Sequence, residues 1–399
     1  MPEPDFRGLQ DELNGLVQQP DFGTVRRRAG RLRARARVAA AAGTLVAAAV
    51  AVLAAVTVLP SLAALREPPG PAAGARPEVV WAGAGDRDHL YAVLADCADC
   101  VQRLVASTDG GRTWQRRSEF GARPDGDPVR PTVLGPTFLV VDLPLADPGK
   151  GSRPTARRIS VDGGRIWRDA GAAGSAREAA APGTRIWGCV LYAPPDCGIV
   201  VADPEAGALA PLASPPPLDA AVPLVAPPSA GYWVRGCDPA TGRPALAVSR
   251  TGGRSWSTHV FDRDSAVDGC FFDAATTDGR TVVVSFLDPD AGALRRVYRS
   301  TDGGAGWRST DSPRLPEGWR AQGASLVARD GSHVILAQRE TSSGLLVSPD
   351  GRVYTQLSEP VAVVLAPPAP VDQGRYLWYD ARHVYLSEDG LRWRPVTPE

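Results

Sequence analysis

The side chains able to do chemistry are few and scattered. The four histidines, His89, His259, His333 and His383, stand singly along the chain. No two share the close spacing of a metal site, so each reads as a strand-surface or packed residue. Cys97-Ala98-Asp99-Cys100 has the C-x-x-C spacing used by redox dithiols and by half of a zinc site. A redox pair opens a helix in a βαβ setting, and a zinc site needs a second ligand pair. Neither context is present, so a structural disulfide is expected, with no metal and no cofactor. Tyr376, Trp378, Tyr379 and Asp380 crowd together near the C-terminus. They could pass for a tyrosine nucleophile beside a carboxylate, but the alternation fits a strand packing its aromatics.

Composition narrows the class of protein. Lys+Arg and Asp+Glu are both 44, so no global field recruits nucleic acid. Gly 42, Pro 38 and Trp 10, beside a single Met, suit many short strands separated by turns. Lys150 is the one lysine and Asn14 the one asparagine, which leaves no N-glycosylation acceptor.

One segment differs from all the rest. Val38 to Leu59 is an Ala, Val and Leu run broken only by Gly43, Thr44 and Thr57. At ~1.5 Å per residue it can cross a ~30 Å hydrocarbon core. Arg26, Arg27, Arg28, Arg31, Arg33, Arg35 and Arg37 precede it, and the far side carries balanced charge. The positive-inside rule then makes 1–37 a cytoplasmic basic tail, 38–59 a transmembrane helix and 60–77 a Pro-rich linker, with 78–399 outside the cell membrane. A cleaved signal peptide is the competing reading.

A repeat organises the remainder. Ser107-Thr108-Asp109-Gly110-Gly111-Arg112-Thr113-Trp114 recurs as Ser160, Asp162, Gly164 and Trp167, and again as Ser300, Asp302, Gly304 and Trp307. Ser249, Gly253 and Trp256 keep the pattern with Thr251 in place of Asp. Ser348-Pro349-Asp350-Gly351 and Ser387, Asp389 and Trp393 mark shortened copies. Each follows a short apolar run and reads as a hairpin turn. The Gly pair allows positive φ, and the Ser and Asp side chains can accept backbone N–H groups. The Trp then fills space between neighbouring sheets.

This octet resembles the Asp-box, or BNR, repeat of sialidases and related propellers, over about residues 78–399. The copies recur every ~40–50 residues, the length of a four-stranded blade, except for one gap nearly twice as long. A degenerate turn within Gly198–Gly207 fills that gap, so the expected fold is all-β, a seven-bladed β-propeller, with six blades the alternative.

The resemblance implies that ligands bind on the face opposite the boxes, which are then structural. On that face the loop residues Trp319, Arg320, Asp238, Arg243 and Asp268 are the ligand-binding candidates. The strand map pairs Cys97 with Cys100, Cys189 with Cys197, and Cys237 with Cys270, all on one rim. Sialidases carry an arginine triad, a tyrosine nucleophile with its glutamate, and an aspartate acid/base. No F/Y-R-I-P segment precedes the first box, so the triad cannot be carried over. The expectation is therefore a monomeric, non-catalytic propeller, anchored in the membrane, that binds a glycan or protein partner. A sialidase-like exo-glycoside hydrolase and an assembly factor for a membrane complex are the alternatives.

Overall fold

The computed structural model describes residues 76–97, 100–121, 128–144, 155–171, 174–188, 198–262, 270–288, 291–357, 369–372 and 374–399. The expected tail, membrane span and most of the linker lie outside these residues, as do Cys189, Cys197 and Asp268. Among the described residues no helix is long and apolar enough to cross a membrane; one 3-10 turn, Pro228–Ala230, interrupts an otherwise all-β chain.

Seven antiparallel sheets follow one another in sequence, six of four strands and one of three. We number them blades 1 to 7, with inner strands Glu78–Ala84, Thr132–Val133, Ile186–Trp187, Asp219–Pro223, Asp273–Thr276, Arg320–Val327 and Ala369–Asp372. In blade 5 the later strands are Val282–Leu287, Leu294–Ser300 and Arg308–Asp311.

Burial follows strand position. Leu90–Ala95, second in blade 1, is buried along its whole length, because both its faces are covered by neighbouring blades. Gln115–Phe120, outermost in the same blade, is largely polar and exposed. The core is accordingly a ring of apolar clusters, one between each successive pair of blades. Leu104, Phe120, Val133 and Leu139 join blades 1 and 2, for example, and Val283, Val297, Ile335 and Leu346 join blades 5 and 6. A fully buried side chain of this kind contributes about 1.5–3 kcal/mol.

Among the described residues no strand is exchanged to close the ring, since blades 1 and 7 are each built from contiguous sequence. The seam is held by packing of Val79, Ala82 and Leu94 against Leu377, Tyr379 and Val384. Val79 N–H also donates to the Ala381 carbonyl at 2.9 Å, and Arg375 Nη1 to the Arg87 carbonyl at 2.7 Å.

Blade 3 departs from the expected plan. Thr184, immediately before its inner strand, accepts the Tyr232 hydroxyl at 2.9 Å. Arg185 reaches the Ala84 and Val371 carbonyls at the ends of the blade 1 and blade 7 inner strands. Ile186–Trp187 therefore starts where those strands finish and runs the opposite way. The strand that should precede it is missing from the three-stranded sheet. Its second hairpin turn, between Val200–Asp203 and Ala208–Pro211, falls inside the Gly198–Gly207 segment. There the Asp203 carboxylate takes the Arg177 guanidinium in place of a Ser–Asp pair.

Candidate functional site

The repeated octets are closed hydrogen-bond systems. In blade 1, Ser107 Oγ accepts the Gly111 N–H at 2.8 Å and donates to Asp109 Oδ1 at 2.7 Å. Asp109 Oδ1 accepts the Arg112 and Thr113 N–H groups at 3.0 and 2.9 Å. The Thr113 N–H first, then the Thr113 and Ser107 hydroxyls, hold this carboxyl well below the usual carboxylate range. Ser160 with Asp162 and Ser300 with Asp302 repeat the arrangement. In blade 4, Thr251 Oγ1 accepts the Ser255 N–H at 3.0 Å in place of the carboxylate, and Ser249 Oγ still takes the Gly253 N–H. Ser387 Oγ accepts the Gly390 N–H, and Asp389 accepts those of Leu391 and Arg392.

The second glycine of each octet lets the turn approach the preceding blade. A Cβ on Gly164, at φ +84°, would sit 2.2 Å from Leu104. The octet tryptophans meet that same blade: Trp167 lies edge-on to Phe120 and donates to Ser118 Oγ at 3.0 Å. Trp114, Trp256, Trp307 and Trp393 also pack into the clusters between blades. These side chains are committed to folding, which leaves them nothing to offer a substrate.

The centre of the ring is different. A cavity of about 390 Å³ runs between the inner strands of blades 1, 2, 3, 4 and 7, walled by Trp81, Trp187, Val225 and Tyr379. Val225 is 62% exposed there, and Arg157 lies 4.4 Å over the Trp187 ring. Arg185 also lines the cavity. Its main-chain N–H bonds Leu134 O at 2.6 Å, its Nη1 bonds Ala84 O at 2.6 Å and Val133 O at 3.4 Å, and its Nη2 bonds Val371 O at 3.0 Å. Its Nε is buried and has no partner. Burial pushes this guanidinium down to about 10, only partly offset by Asp372 and Asp86.

A second unusual group lies on the inner strand of blade 5. Asp273 Oδ2 and Ser325 Oγ, the latter on the inner strand of blade 6, are both buried. Burial raises the Asp273 carboxyl above the ordinary range, against the opposing pull of the Ser325 hydroxyl and the Arg235 guanidinium. Arg235 itself donates to the Phe272 carbonyl. A carboxyl raised in this way moves in the direction that proton donation requires.

The residues expected to bind ligand are dispersed. Trp319 is only 6% exposed and packs between blades 5 and 6 with Val297 and Tyr354, under the Arg339 guanidinium at 5.3 Å. It is a core residue, so its expected place on an open loop is corrected: a large apolar ring at the start of an inner strand is drawn into the gap between blades. Arg320 is exposed and lines a shallow groove with Asp288 and Gln338. Asp238 closes its own turn by accepting the Thr241 N–H at 3.0 Å, and Arg243 is tied to Phe261 O at 2.9 Å and Asp262 at 3.0 Å. Blade 5 separates the two groups. Cys97–Cys100 and Cys237–Cys270 are disulfides, with Cα atoms 5.0 and 5.4 Å apart.

The C-terminal aromatic group is packing. Tyr376 donates to Val327 O at 2.9 Å, and Trp378 stacks on Tyr385 at 4.1 Å. Burial pushes Tyr376 up to about 12 and also raises Tyr379. Among the described residues one arginine, Arg185, lines the central cavity.

No known protein family matches the sequence, and no curated protein does. Solved structures of similar fold include the GH74 enzyme of Niastella koreensis, at 13% identity over 80% of this chain and 65% of that one, with a TM-score of 0.36. They also include the β-propeller domain of the Trilobed protease from Pyrococcus furiosus, at 12% identity over 78% of this chain and 92% of that one, TM-score 0.42. The α-L-arabinofuranosidase of Fusarium graminearum matches at 12% identity over 80% and 91%, TM-score 0.34. This chain thus spans just under two thirds of the GH74 enzyme's length. The successive antiparallel sheets with their apolar clusters between them are themselves the blades of a β-propeller. Against the expectation of a non-catalytic binding platform, which is not carried further, stand neighbours that include glycoside hydrolases of the GH74 and GH93 families. At these identities they name no substrate for this chain.

Proposed function

We propose that the protein is an exo-acting glycoside hydrolase of the cell envelope, with its substrate held against the inner strand of blade 5, outside the walls of the central cavity. In this reading the octet turns are Asp boxes, and 38–59 is a membrane anchor that presents the propeller outside the cell. The observation that carries the reading is Asp273, a carboxyl on an inner strand whose Oδ2 is enclosed and which burial raises above the ordinary range. Such a group can give its proton to a glycosidic oxygen as the C–O bond breaks, while water adds at the anomeric carbon. The water needs a second carboxylate to take its proton. Asp219, exposed at the start of the blade 4 inner strand, is the candidate for that role.

This chemistry differs from a tyrosine-nucleophile mechanism. Tyr376 is spent on a backbone carbonyl and Tyr379 is raised by burial, so neither is an activated phenolate. The test is turnover of a panel of 4-methylumbelliferyl glycosides, covering neutral, uronic and sialic residues, by the full chain. One of them is expected to be cleaved, with Asp273→Asn lowering kcat by about 100-fold or more. Absence of turnover across the panel, or full activity in Asp273→Asn, would sink the reading.

A further inference from the structure

We propose that the Cys97–Cys100 disulfide is a thiol–disulfide exchange site for a protein-borne dithiol and not a staple of the fold. It closes a sequence separation of 3, at the end of the hairpin between Leu90–Ala95 and Gln102–Ser107. The stability a disulfide confers grows with the length of loop it closes, and this loop is already closed by other means. Ala95 pairs with Gln102 in the strand register. The Arg103 guanidinium donates to both oxygens of Asp96, at 2.8 and 2.7 Å. The Cys100 N–H donates to the Cys97 carbonyl at 3.2 Å, and the buried Gln102 accepts the Val129 N–H at 2.7 Å. Opening the S–S bond therefore leaves the register of blade 1 in place, with two thiols held across one turn.

The other described disulfide is placed differently. Cys237–Cys270 spans a separation of 33 and ties the end of Tyr232–Cys237 in blade 4 to the approach to blade 5, with both residues half-buried. Its loss removes a connection between blades. Cys97, by contrast, is exposed, and Val101 beside the pair is 43% exposed. The strand Gln102–Ser107 starts next to the disulfide and ends at an octet, so the sulfurs lie at the end of blade 1 away from its octet turn. Exchange rates depend on access to the sulfur attacked. The apolar Val101 side chain, left in water, offers a partner's surface something to bury as it approaches.

No helix among the described residues begins at either cysteine, the setting that activates an attacking thiol, so the pair receives attack rather than starting it. The partner's thiolate attacks Cys97 Sγ, the S–S bond breaks, and Cys100 Sγ leaves as a thiolate. The partner's second thiol then displaces Cys97 Sγ and closes the partner's own disulfide. Two electrons, with the two protons given up by the partner's thiols, have passed to Cys97 and Cys100. The inference stands independently of glycoside hydrolysis, because Asp273 plays no part in it.

Timed reduction of the full chain in detergent tests it, with N-ethylmaleimide quenching and mass mapping of each cysteine pair. The probes are dithiothreitol as a small dithiol and reduced thioredoxin as a protein dithiol. Both should open Cys97–Cys100 at least ~5-fold faster than Cys237–Cys270. Protein opened at Cys97–Cys100 alone should lose less than ~4 °C in Tm, and oxidised dithiothreitol should restore the bond. Val101→Ser, a change at an exposed position, should slow thioredoxin at least ~3-fold and leave the dithiothreitol rate unchanged. A rate ratio below that for either probe, a larger fall in Tm, failure to re-form the bond, or a thioredoxin rate unaffected by Val101→Ser overturns the proposal.

Discussion

Replacing Ser107 by Ala isolates what an octet turn contributes. Ser107 is 1% exposed, and its hydroxyl does two things: it accepts the Gly111 N–H at 2.8 Å and donates to Asp109 Oδ1 at 2.7 Å. The alanine leaves the buried Gly111 N–H without a partner, a loss of ~1–3 kcal/mol. It removes little apolar contact, so the hydrogen-bond cost dominates. For a large cooperative domain each kcal/mol lowers Tm by about 2–4 °C, which gives an expected fall of roughly 2–12 °C in a calorimetric scan. The reverse change is available in blade 4, where Thr251→Asp restores a carboxylate able to take both the Ser249 hydroxyl and the following N–H groups. It should raise Tm. In Asp109→Ala the Ser107 hydroxyl keeps Gly111, so that variant with and without Ser107→Ala should show non-additive losses. An unchanged Tm in Ser107→Ala would refute the claim that the serine hydroxyl closes the turn.

Other predictions follow from the same contacts. The Asp273 carboxyl is raised in the folded state, so its contribution to stability is complete below the unfolded carboxyl value near ~3.9 and lost as pH rises through the folded value. Asp273→Asn should therefore gain stability relative to wild type at pH 8 and show little difference at pH 4, measured by urea midpoints at both. Cys237–Cys270 closes a loop of sequence separation 33 between blades 4 and 5, so Cys237→Ser with Cys270→Ser should lose roughly 3–4 kcal/mol. Equal urea midpoints for that double variant and wild type would remove the disulfide from the account. Filling the tight approach with Gly164→Ala, at φ +84° and against Leu104, should lower Tm by more than the same change at Gly171, where nothing lies within 4 Å.

What could be read from the sequence was what the sequence encodes locally. The octet is closed by hydrogen bonds within eight residues, so its spacing alone revealed the hairpins and, through them, the phase of nearly every strand. Blade 3 escaped that logic. Its turn carries neither Ser nor Trp, its inner strand is two residues long, and its direction is set by Thr184 and Arg185 meeting distant partners. Trp319 misled for a related reason: Pro316-Glu317-Gly318 looks like an exposed loop, yet the next residue covers the core between two blades. Arg185 gave no signal at all. It is one of very many arginines, and its acceptors are carbonyls 52 to 186 residues away, which no side-chain pattern records. Asp273 was equally silent, since its character comes from burial against Ser325 rather than from neighbours in sequence.

The leaving-group dependence of hydrolysis by Asp273→Asn tests the central claim most directly. A general acid matters most when the departing oxygen is basic and least when it leaves unaided. Once a cleaved glycone is found in the fluorogenic panel, wild type and variant should be compared on its methyl and 2,4-dinitrophenyl glycosides. A loss of at least ~100-fold on the methyl glycoside and near-wild-type rates on the dinitrophenyl glycoside are expected. Equal losses on both substrates, or none on either, would contradict it.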